Sequence, residues 1–230
     1  MNILIIGGSG GLGSSIAEKL QIAGHKVVIT YARDDLKADH VCSVVGCSKV
    51  HYDLRQPGMA DKILDLYPDI DAVVLSAVGN AGRVSLDDVT ADELNKQVDL
   101  QLFGALDIFR AFKNKKIKYV IVLSEYVFGT PPLGLTPYVV GKYSLLGLCK
   151  CMAVELARKN GSTVNMISPG MTDTLLLTGL PPKMKELVAD RNPLGRIGLP
   201  DDVADAALFL LNSDYCNGVN ILVNGGGLMI

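Results

Sequence analysis

Short apolar runs alternate with amphipathic segments along the whole chain. Seven runs rich in aliphatic and β-branched residues have the length of buried strands; they cover 3–6, 26–31, 49–53, 71–76, 119–124, 163–168 and 218–223. Between them, apolar residues recur every three or four positions. This spacing predicts a helix after the first strand and further helices over 34–45, 59–66, 90–112, 138–158 and 200–211. The alternation predicts a three-layer α/β fold.

A glycine-rich turn separates the first strand from the first helix. It reads Gly7-Gly-Ser-Gly-Gly11-Leu-Gly13, and Ile16, Leu20 and Ala23 mark the inner face of the helix that follows. Glycine permits positive φ and close approach of the backbone to a phosphate, which the amides of a helix N-terminus stabilise. The context predicts a dinucleotide site in a Rossmann-type, doubly wound domain with a mostly parallel seven-stranded sheet, flanked by helices on both faces. The alternative is a tight turn with a structural role alone.

The length and the charge of the chain limit which classes of protein it can belong to. The 230 residues suit a single domain over 1–230, in which the irregular stretch 169–196 follows the sixth strand and is expected to form a substrate lid. The 22 basic and 24 acidic residues create no basic field for nucleic acid or a membrane surface. Apolar runs are shorter than the roughly 18 residues that span a bilayer, and no signal peptide is recognisable. We therefore expect a cytoplasmic protein.

The cysteines and histidines indicate no metal site. The five cysteines are an odd number without metal-ligand spacing, and they are expected to be reduced, structural thiols: Cys42, Cys47, Cys149, Cys151 and Cys216.

A tyrosine and a lysine lie four positions apart in the predicted helix 138–158. This spacing places Tyr138 and Lys142 one turn apart on the same face. A nearby cation favours the phenolate, so we expect the pKa of Tyr138 to fall from about 10 toward the working pH, where proton transfer is most effective. Ser124, at the end of the fifth predicted strand, is expected to point its hydroxyl into the same cleft. The alternative for the pair is an exposed helix face.

The order of these motifs resembles the short-chain dehydrogenase/reductase family over nearly the whole chain. The family's strand-six motif is similar to the segment from Asn165 through Pro169-Gly170 to Thr174, and its C-terminal signature is similar to 193–203 and to Val223-Asn-Gly-Gly226. The closing motif in particular resembles bacterial 3-oxoacyl-acyl-carrier-protein reductases.

The resemblance implies a role for each matched residue. Tyr138 would protonate a carbonyl oxygen while hydride reaches the carbon, Lys142 would hold the nicotinamide ribose, and Ser124 would orient the carbonyl. The implied cofactor-binding residues are Gly7, Ser9, Gly10, Gly11, Leu12, Gly13, Arg33, Asp53, Leu54, Ser76, Ala77, Tyr138, Lys142, Pro169, Gly170, Thr172 and Thr174.

Within that set, Asp53 and Leu54 match residues that cover the adenine, and Thr172 and Thr174 match residues beside the nicotinamide.

The end of the second strand bears on which nicotinamide cofactor is bound. An acidic residue there favours the ribose 2′-hydroxyl, whereas an arginine pairs with a 2′-phosphate. Arg33 comes first and Asp34 follows it, so the expected preference is NADP(H), with NAD(H) possible. The alternative is a surface ion pair between the two residues.

Three departures from the family pattern affect the site. The family's Asn-Asn-Ala-Gly is replaced by Leu75-Ser76-Ala77-Val-Gly79, with Asn80-Ala-Gly82 just downstream. The family's mid-helix asparagine, which supports a proton relay, aligns with Gln101, whose longer side chain carries the same amide. The stretch from Ser124 to Gly129 has one residue more than usual, so Tyr126 is a second candidate to project into the pocket.

These matches imply an NADPH-dependent reductase of a carbonyl, most plausibly of a 3-oxoacyl thioester on an acyl carrier protein or coenzyme A, in fatty acid or polyketide biosynthesis. Basic residues in 113–118 and at 158–159 would receive the acidic carrier, or serve as ordinary solubilising charge. The apolar lid residues Leu175 to Leu177 and Leu180 would suit an acyl chain. A tetramer is expected, with a dimer the other possibility, through the helices 93–112 and 138–158.

Two other functions remain open. One is an oxidoreductase for another small alcohol, ketone or ring ketone. The other is a nucleotide-binding member of the family without turnover, which Gln101 and the altered strand-four motif would explain.

Overall fold

A single seven-stranded parallel sheet forms the centre of the molecule. The structure is a computed structural model, and it describes residues 1–56, 58–77, 79, 82–177 and 181–230. The strands are β1 Asn2–Ile6, β2 Lys26–Tyr31, β3 Ser48–His51, β4 Ala72–Leu75, β5 Lys118–Val122, β6 Thr163–Pro169 and β7 Asn220–Val223. Their order is β3-β2-β1-β4-β5-β6-β7, and every neighbouring pair is parallel. The predicted Rossmann-type fold is confirmed.

Helices connect the strands and cover both faces of the sheet. They are α1 Gly11–Ile22, α2 Asp35–Val45, α3 Met59–Leu66, α4 Ala91–Val98, α5 Gly104–Ala111, α6 Thr136–Asn160, α7 Pro182–Arg191 and α8 Pro200–Asn212. The predicted helix over 90–112 is α4 and α5 joined by a π-helical segment, Asp99–Phe103. Thr90 caps α4 by accepting a hydrogen bond from the Glu93 amide. Among the described residues, no helix has the length and hydropathy needed to cross a membrane.

Alternate side chains of each strand enter different cores. In β1, Ile3 and Ile5 pack with α1, α2 and α8, whereas Leu4 and Ile6 pack with α3, α5 and α6. Burial on both faces explains why the central strands are continuous apolar runs, because neither face of the sheet meets water.

The predicted irregular stretch 169–196 is partly helical, and this prediction was wrong. It contains a short 3-10 helix at Leu175–Leu177 and the ten-residue helix α7, which starts at Pro182. Proline suits the first turn of a helix, since the amide that it lacks has no partner there. The pair Pro181-Pro182 therefore marks a helix start. Leu180 lies outside the described residues.

The sheet brings the candidate residues to one edge. Because all strands are parallel, their carboxyl ends meet at the same side. Gly7 follows β1, Ser76 follows β4, Ser124 follows β5 within two residues, and Gly170 follows β6.

Candidate active site

The glycine turn packs too tightly for any larger side chain at several positions. Gly7 has φ +79°, and a Cβ built there would lie 2.7 Å from the Ala77 backbone. A Cβ on Gly13 would lie 2.3 Å from the Gly7 carbonyl oxygen. The Gly7 amide donates to Thr30 Oγ1 at 3.0 Å, and the Gly10 amide donates to the Gly7 oxygen at 3.0 Å. The turn thus holds α1 close against β1 and leaves the first turn of α1 facing open space.

That open space is a crevice of about 1460 Å³ along the carboxyl edge of the sheet. Most of the predicted cofactor-binding residues line it: Gly7, Ser9, Gly10, Gly11, Leu12, Arg33, Asp53, Leu54, Ser76, Ala77, Tyr138 and Thr174. Gly13 does not line the crevice and instead allows the close packing of α1 on the turn.

The remaining predicted residues lie behind the crevice wall. Lys142 is buried one turn beyond Tyr138 in α6. Pro169 ends β6, and Gly170 and Thr172 follow it, and none of these three lines the crevice. Thr172 Oγ1 donates to the Gly170 carbonyl oxygen at 3.0 Å. This bond orders the segment that presents Thr174, which contacts Gly11: a Cβ built on Gly11 would lie 3.0 Å from Thr174 Cβ.

One end of the crevice is rich in cations. Arg33, Lys37 and Arg55 line it together with Asp34 and Asp53. The Asp34 side chain caps α2 by accepting a hydrogen bond from the Lys37 amide at 2.9 Å, so it is not directed at Arg33. The predicted alternative of a surface ion pair between Arg33 and Asp34 is therefore not observed.

Arg55 was missed by the sequence analysis. Its guanidinium donates to both carboxylate oxygens of Asp53, from Nε at 2.9 Å and from Nη2 at 2.5 Å. These bonds hold the pKa of Asp53 below its usual value. The only signal in the sequence was an arginine two residues after the acid, a spacing too common to single out.

Tyr138 forms part of the crevice wall, and Ser124 lies next to it. Tyr138 lies in the first turn of α6, which begins at Thr136 with Pro137 in its first turn. Ser124 is buried just before a 3-10 helix, Glu125–Val127, and its hydroxyl lies near enough to the Tyr138 phenol to act against the rise of the phenol pKa. Tyr138 lines the crevice, whereas Ser124, which was expected to point its hydroxyl into the cleft, is not among the residues that line it.

Lys142 lies one turn further along α6 and is only 2% exposed. Its Nζ donates to the Val122 carbonyl oxygen at 2.9 Å and lies 5.8 Å from the centroid of the Tyr138 ring. The ammonium is therefore directed at the end of β5 and not at the phenol oxygen.

The prediction that Lys142 lowers the pKa of Tyr138 is wrong for this structure. Burial raises the pKa of Tyr138 to about 12, and the nearby Ser124 hydroxyl, which acts in the opposite sense, does not offset it. Burial also lowers the pKa of Lys142 to about 8. Tyr138 is thus protonated at neutral pH, the state that an acid needs to protonate a carbonyl oxygen.

Gln101 lies in the π-helical segment and is buried against α6. Its Nε2 donates to Gln97 Oε1 at 2.9 Å, while its Oε1 is buried with no hydrogen-bond partner among the described residues. A Cβ built on Gly141 would lie 2.7 Å from Gln101 Nε2. The longer side chain therefore fits because residue 141, between Tyr138 and Lys142, has no side chain. Gln97 was not predicted.

Two further residues near the tyrosine extend the site. Glu125 is half-buried and accepts a hydrogen bond from Asn224 Nδ2 at 3.2 Å, and burial raises the pKa of its carboxyl group. Tyr126 is close enough to raise the pKa of Tyr138, but it is not among the residues that line the crevice, into which it was a candidate to project. The hydrogen bond between Glu125 and Asn224 joins the 3-10 helix after β5 to the residue after β7, a contact that sequence alone does not reveal.

The residues present fit a nicotinamide dinucleotide. The glycine turn lines the crevice at the start of α1 with backbone alone at Gly7, Gly10 and Gly11, and the buried hydroxyl of Ser76, on the crevice wall, has no hydrogen-bond partner among the described residues. Gly7 to Leu12 would hold the pyrophosphate, and Arg33 and Asp53 the adenosine end. When bound, the reduced cofactor supplies hydride to the substrate. Of the strand-four region, Val78, Asn80 and Ala81 lie outside the described residues.

Comparison with known proteins agrees with this geometry. The family model described as Enoyl-(Acyl carrier protein) reductase matches residues 7–227. An acetoacetyl-CoA reductase of Shinella zoogloeoides is 29% identical, over 99% of this chain and 98% of its own length.

Two solved structures share the fold over nearly their whole length. One is a 3-ketoacyl-(acyl-carrier-protein) reductase from Brucella melitensis complexed with NADH, with a TM-score of 0.87, 26% identity and coverage of 99% of this chain and 98% of that one. The other is a gluconate 5-dehydrogenase from Burkholderia cenocepacia J2315 in complex with NADP and tartrate. Its TM-score is 0.87 at 26% identity, and the match covers 98% of this chain and 94% of that one. From its motifs, its crevice and these matches, the chain belongs to the short-chain dehydrogenase/reductase family and is an NAD(P)-dependent oxidoreductase.

Proposed function

We propose that this protein reduces the 3-oxo group of an acyl thioester to a secondary alcohol with NADPH. The observation that carries the proposal is the Tyr138 phenol in the wall of the crevice that the glycine turn opens, with the Ser124 hydroxyl next to it. A carbonyl oxygen placed between these two hydroxyls accepts hydrogen bonds from both.

Proton transfer in this reaction falls to Tyr138. As the carbonyl carbon gains hydride, its oxygen gains negative charge and takes the phenol proton, which leaves an alcohol and a phenolate. The Lys142 ammonium, 5.8 Å from the ring centroid, stabilises the phenolate, and Ser124 stabilises the developing oxyanion. Gln101 packs against Gly141, and its Oε1, which has no hydrogen-bond partner in the described part of the chain, suits a relay that returns a proton to the site.

The preference for NADPH rests on charge at the adenosine end. Arg33 and Lys37 line the crevice there, and neither forms an ion pair in the described part of the chain. The nearby carboxylates are engaged elsewhere, Asp34 in the cap of α2 and Asp53 with Arg55. Two available cations favour a ligand with an additional phosphate.

The thioester class is supported by the relatives. Acetoacetyl-CoA and 3-ketoacyl-carrier-protein reductases are both among the proteins that this chain resembles. Leu175 contributes an exposed apolar side chain beside Thr174 at the crevice, which suits an acyl chain.

The basic segments do not support recognition of a carrier at the crevice. Lys118 pairs with the first residues of β4 and β6, so the segment 113–118 lies at the amino edge of the sheet. Asn160, at the end of α6, donates to the carbonyl oxygens of Lys113 and Lys115, which places 158–159 at the same edge. A carrier that delivers its thioester to Tyr138 would approach the opposite edge.

The test is the loss of NADPH absorbance with a panel of carbonyl substrates. We expect turnover of acetoacetyl-CoA and longer 3-oxoacyl thioesters, and slower turnover with NADH. Turnover of small ketones, ring ketones or sugar acids alone would assign another substrate class to the same enzyme. Absence of turnover with every carbonyl, despite NADPH binding, would identify a nucleotide-binding protein without catalysis.

A further inference from the structure

Two of the five cysteines are in direct contact. Cys42, in the last turn of α2, and Cys47, just before β3, have sulfur atoms 3.5 Å apart, with the Cys47 thiol donating to Cys42. Both side chains are half-buried, so small reagents can reach them. Among the described residues, which include all five cysteines, no other pair of thiols is within hydrogen-bonding distance.

The contact follows from the way α2 ends. Gly46 has φ +77° and its amide donates to the Cys42 carbonyl oxygen at 2.8 Å, so the helix closes with a left-handed glycine. Such a cap commonly brings the residue after the glycine against the side chain in the last turn, where an apolar contact forms. Here thiols occupy both of these positions. The spacing Cys42-x-x-x-Gly46-Cys47 therefore encodes their proximity.

We propose that Cys42 and Cys47 form a covalent modification site, a dithiol that a small disulfide such as oxidised glutathione converts to an intramolecular disulfide. A disulfide bond is about 2.05 Å long, so the sulfurs must approach each other by roughly 1.5 Å. The contact already present leaves side-chain rotation as the main movement required.

The reaction proceeds by two thiol–disulfide exchanges. The Cys42 sulfur attacks one glutathione sulfur, which breaks the glutathione disulfide, forms a mixed disulfide and releases one glutathione. The Cys47 sulfur then attacks the Cys42 sulfur and releases the second. The two cysteines lose two electrons and two protons, and both pass to the two glutathione thiols.

The order of attack follows from the hydrogen bond. Burial raises the pKa of Cys47 to about 12, and donation to Cys42 adds to that shift. Cys47 therefore remains a thiol while Cys42 reacts, and it acts as the resolving group. Since only the thiolate attacks, we expect the exchange to be slow and to need millimolar oxidant.

The site is separate from the crevice. The eleven residues of α2 span about 16 Å, with Asp34 and the crevice at one end and Cys42 near the other. The proposal therefore does not depend on the function proposed above.

Peptide mapping of the full chain tests whether Cys42 and Cys47 form a disulfide. Trypsin releases residues 38–49 as one peptide that contains Cys42 and Cys47 and no other cysteine, while Cys151 falls in the peptide 151–158. The folded protein is incubated with oxidised glutathione, denatured with iodoacetamide and digested without reductant. We expect peptide 38–49 about two mass units lighter than its reduced form and not alkylated. Reduction before alkylation should restore two alkyl groups.

Cys42→Ser and Cys47→Ser are the matched controls, and each should lack the lighter peptide. The exposed Cys151 reports that the oxidant has acted. The proposal is overturned if Cys151 carries glutathione while peptide 38–49 of the wild type is alkylated twice. Stable glutathione on Cys42, or a disulfide between two chains, would overturn it equally.

Discussion

Lys142 is a buried cation with one backbone carbonyl as its hydrogen-bond acceptor. It is 2% exposed, and its Nζ donates to the Val122 oxygen at 2.9 Å. Burial of a charge without a paired anion is costly, which is why the pKa of Lys142 falls to about 8. We infer that the fold tolerates this cost because the reaction needs a cation next to Tyr138.

This cost predicts how stability depends on pH. The pKa of Lys142 is about 8 in the folded chain and 10.5 as its reference value, so the unfolded chain binds more protons between these pH values. Lys142→Met should be more stable than wild type at pH 7, and the difference should shrink by about 3 kcal/mol by pH 10.5. Urea unfolding of both proteins at pH 7, 8.5 and 10.5 measures this difference in the free energy of unfolding. A difference that does not change with pH would contradict the burial of a charged lysine.

Arg33 should select the cofactor phosphate. Arg33→Ala removes a charge-assisted hydrogen bond to a 2′-phosphate, so we expect NADPH to bind about 10- to 100-fold more weakly and NADH to bind nearly as before. Fluorescence titration with both nucleotides measures this. Arg158→Ala is the matched control: it also removes one arginine, but at the opposite edge of the sheet, and it should leave the binding of both nucleotides unchanged. Equal weakening of NADH and NADPH would show that Arg33 does not recognise the phosphate.

At the scale of elements, the π-helical segment between α4 and α5 is fitted to α6. The segment carries Gln101, and Gly141 on α6 provides the space for its amide. A π-helical turn inside a helix is uncommon and frequently found at functional sites. The two elements therefore position Gln101 against Gly141, which lies between Tyr138 and Lys142 in the sequence of α6.

A pair of substitutions tests this fit. Gly141→Ala would place a methyl group 2.7 Å from Gln101 Nε2, so we expect it to destabilise the protein by about 1–3 kcal/mol and to slow turnover. Adding Gln101→Asn shortens the opposing side chain, so the double variant should regain much of the lost stability and much of the lost turnover. Thermal unfolding and NADPH oxidation are measured for the two single variants and the double variant. Additive losses would contradict the contact.

Strands and helices could be predicted from the sequence where the local pattern of apolar and polar residues determines them. The buried strands, the glycine turn and the Tyr138–Lys142 spacing follow from periodicity, because each depends on neighbours in sequence. The helix α7 was missed, since its exposed, weakly apolar sequence lacks a clear stripe and Pro181-Pro182 suggested a loop. The direction of the pKa shift of Tyr138 was also predicted wrongly, because this shift depends on burial by segments that are distant in the sequence.

At the scale of the whole molecule, exposed apolar side chains indicate self-association. Tyr143 and Val154 on α6 are 47% and 57% exposed, and Phe103 beside α5 is 54% exposed. We propose that this face joins two copies of the chain in a dimer or a tetramer. The C-terminal Met229 and Ile230 are also exposed and would extend the contact.

Sedimentation at micromolar concentration tests this assembly. The wild type should sediment as a dimer or tetramer, and Tyr143→Glu with Val154→Glu should shift it to monomer, since two charges would be buried at the contact. Phe209→Glu, an exposed apolar position on α8, is the control and should leave the mass unchanged if α6 forms the contact. A monomeric wild type would contradict the proposal.

The most direct test of the central claim is the turnover of Tyr138→Phe. The substitution removes one hydroxyl from a buried ring and leaves the glycine turn and the cation-rich end of the crevice unchanged. We predict that NADPH binds with nearly wild-type affinity, while reduction of acetoacetyl-CoA slows by at least about 100-fold, the scale of general acid catalysis. Equal rates for the variant and the wild type would show that the Tyr138 phenol is not the acid.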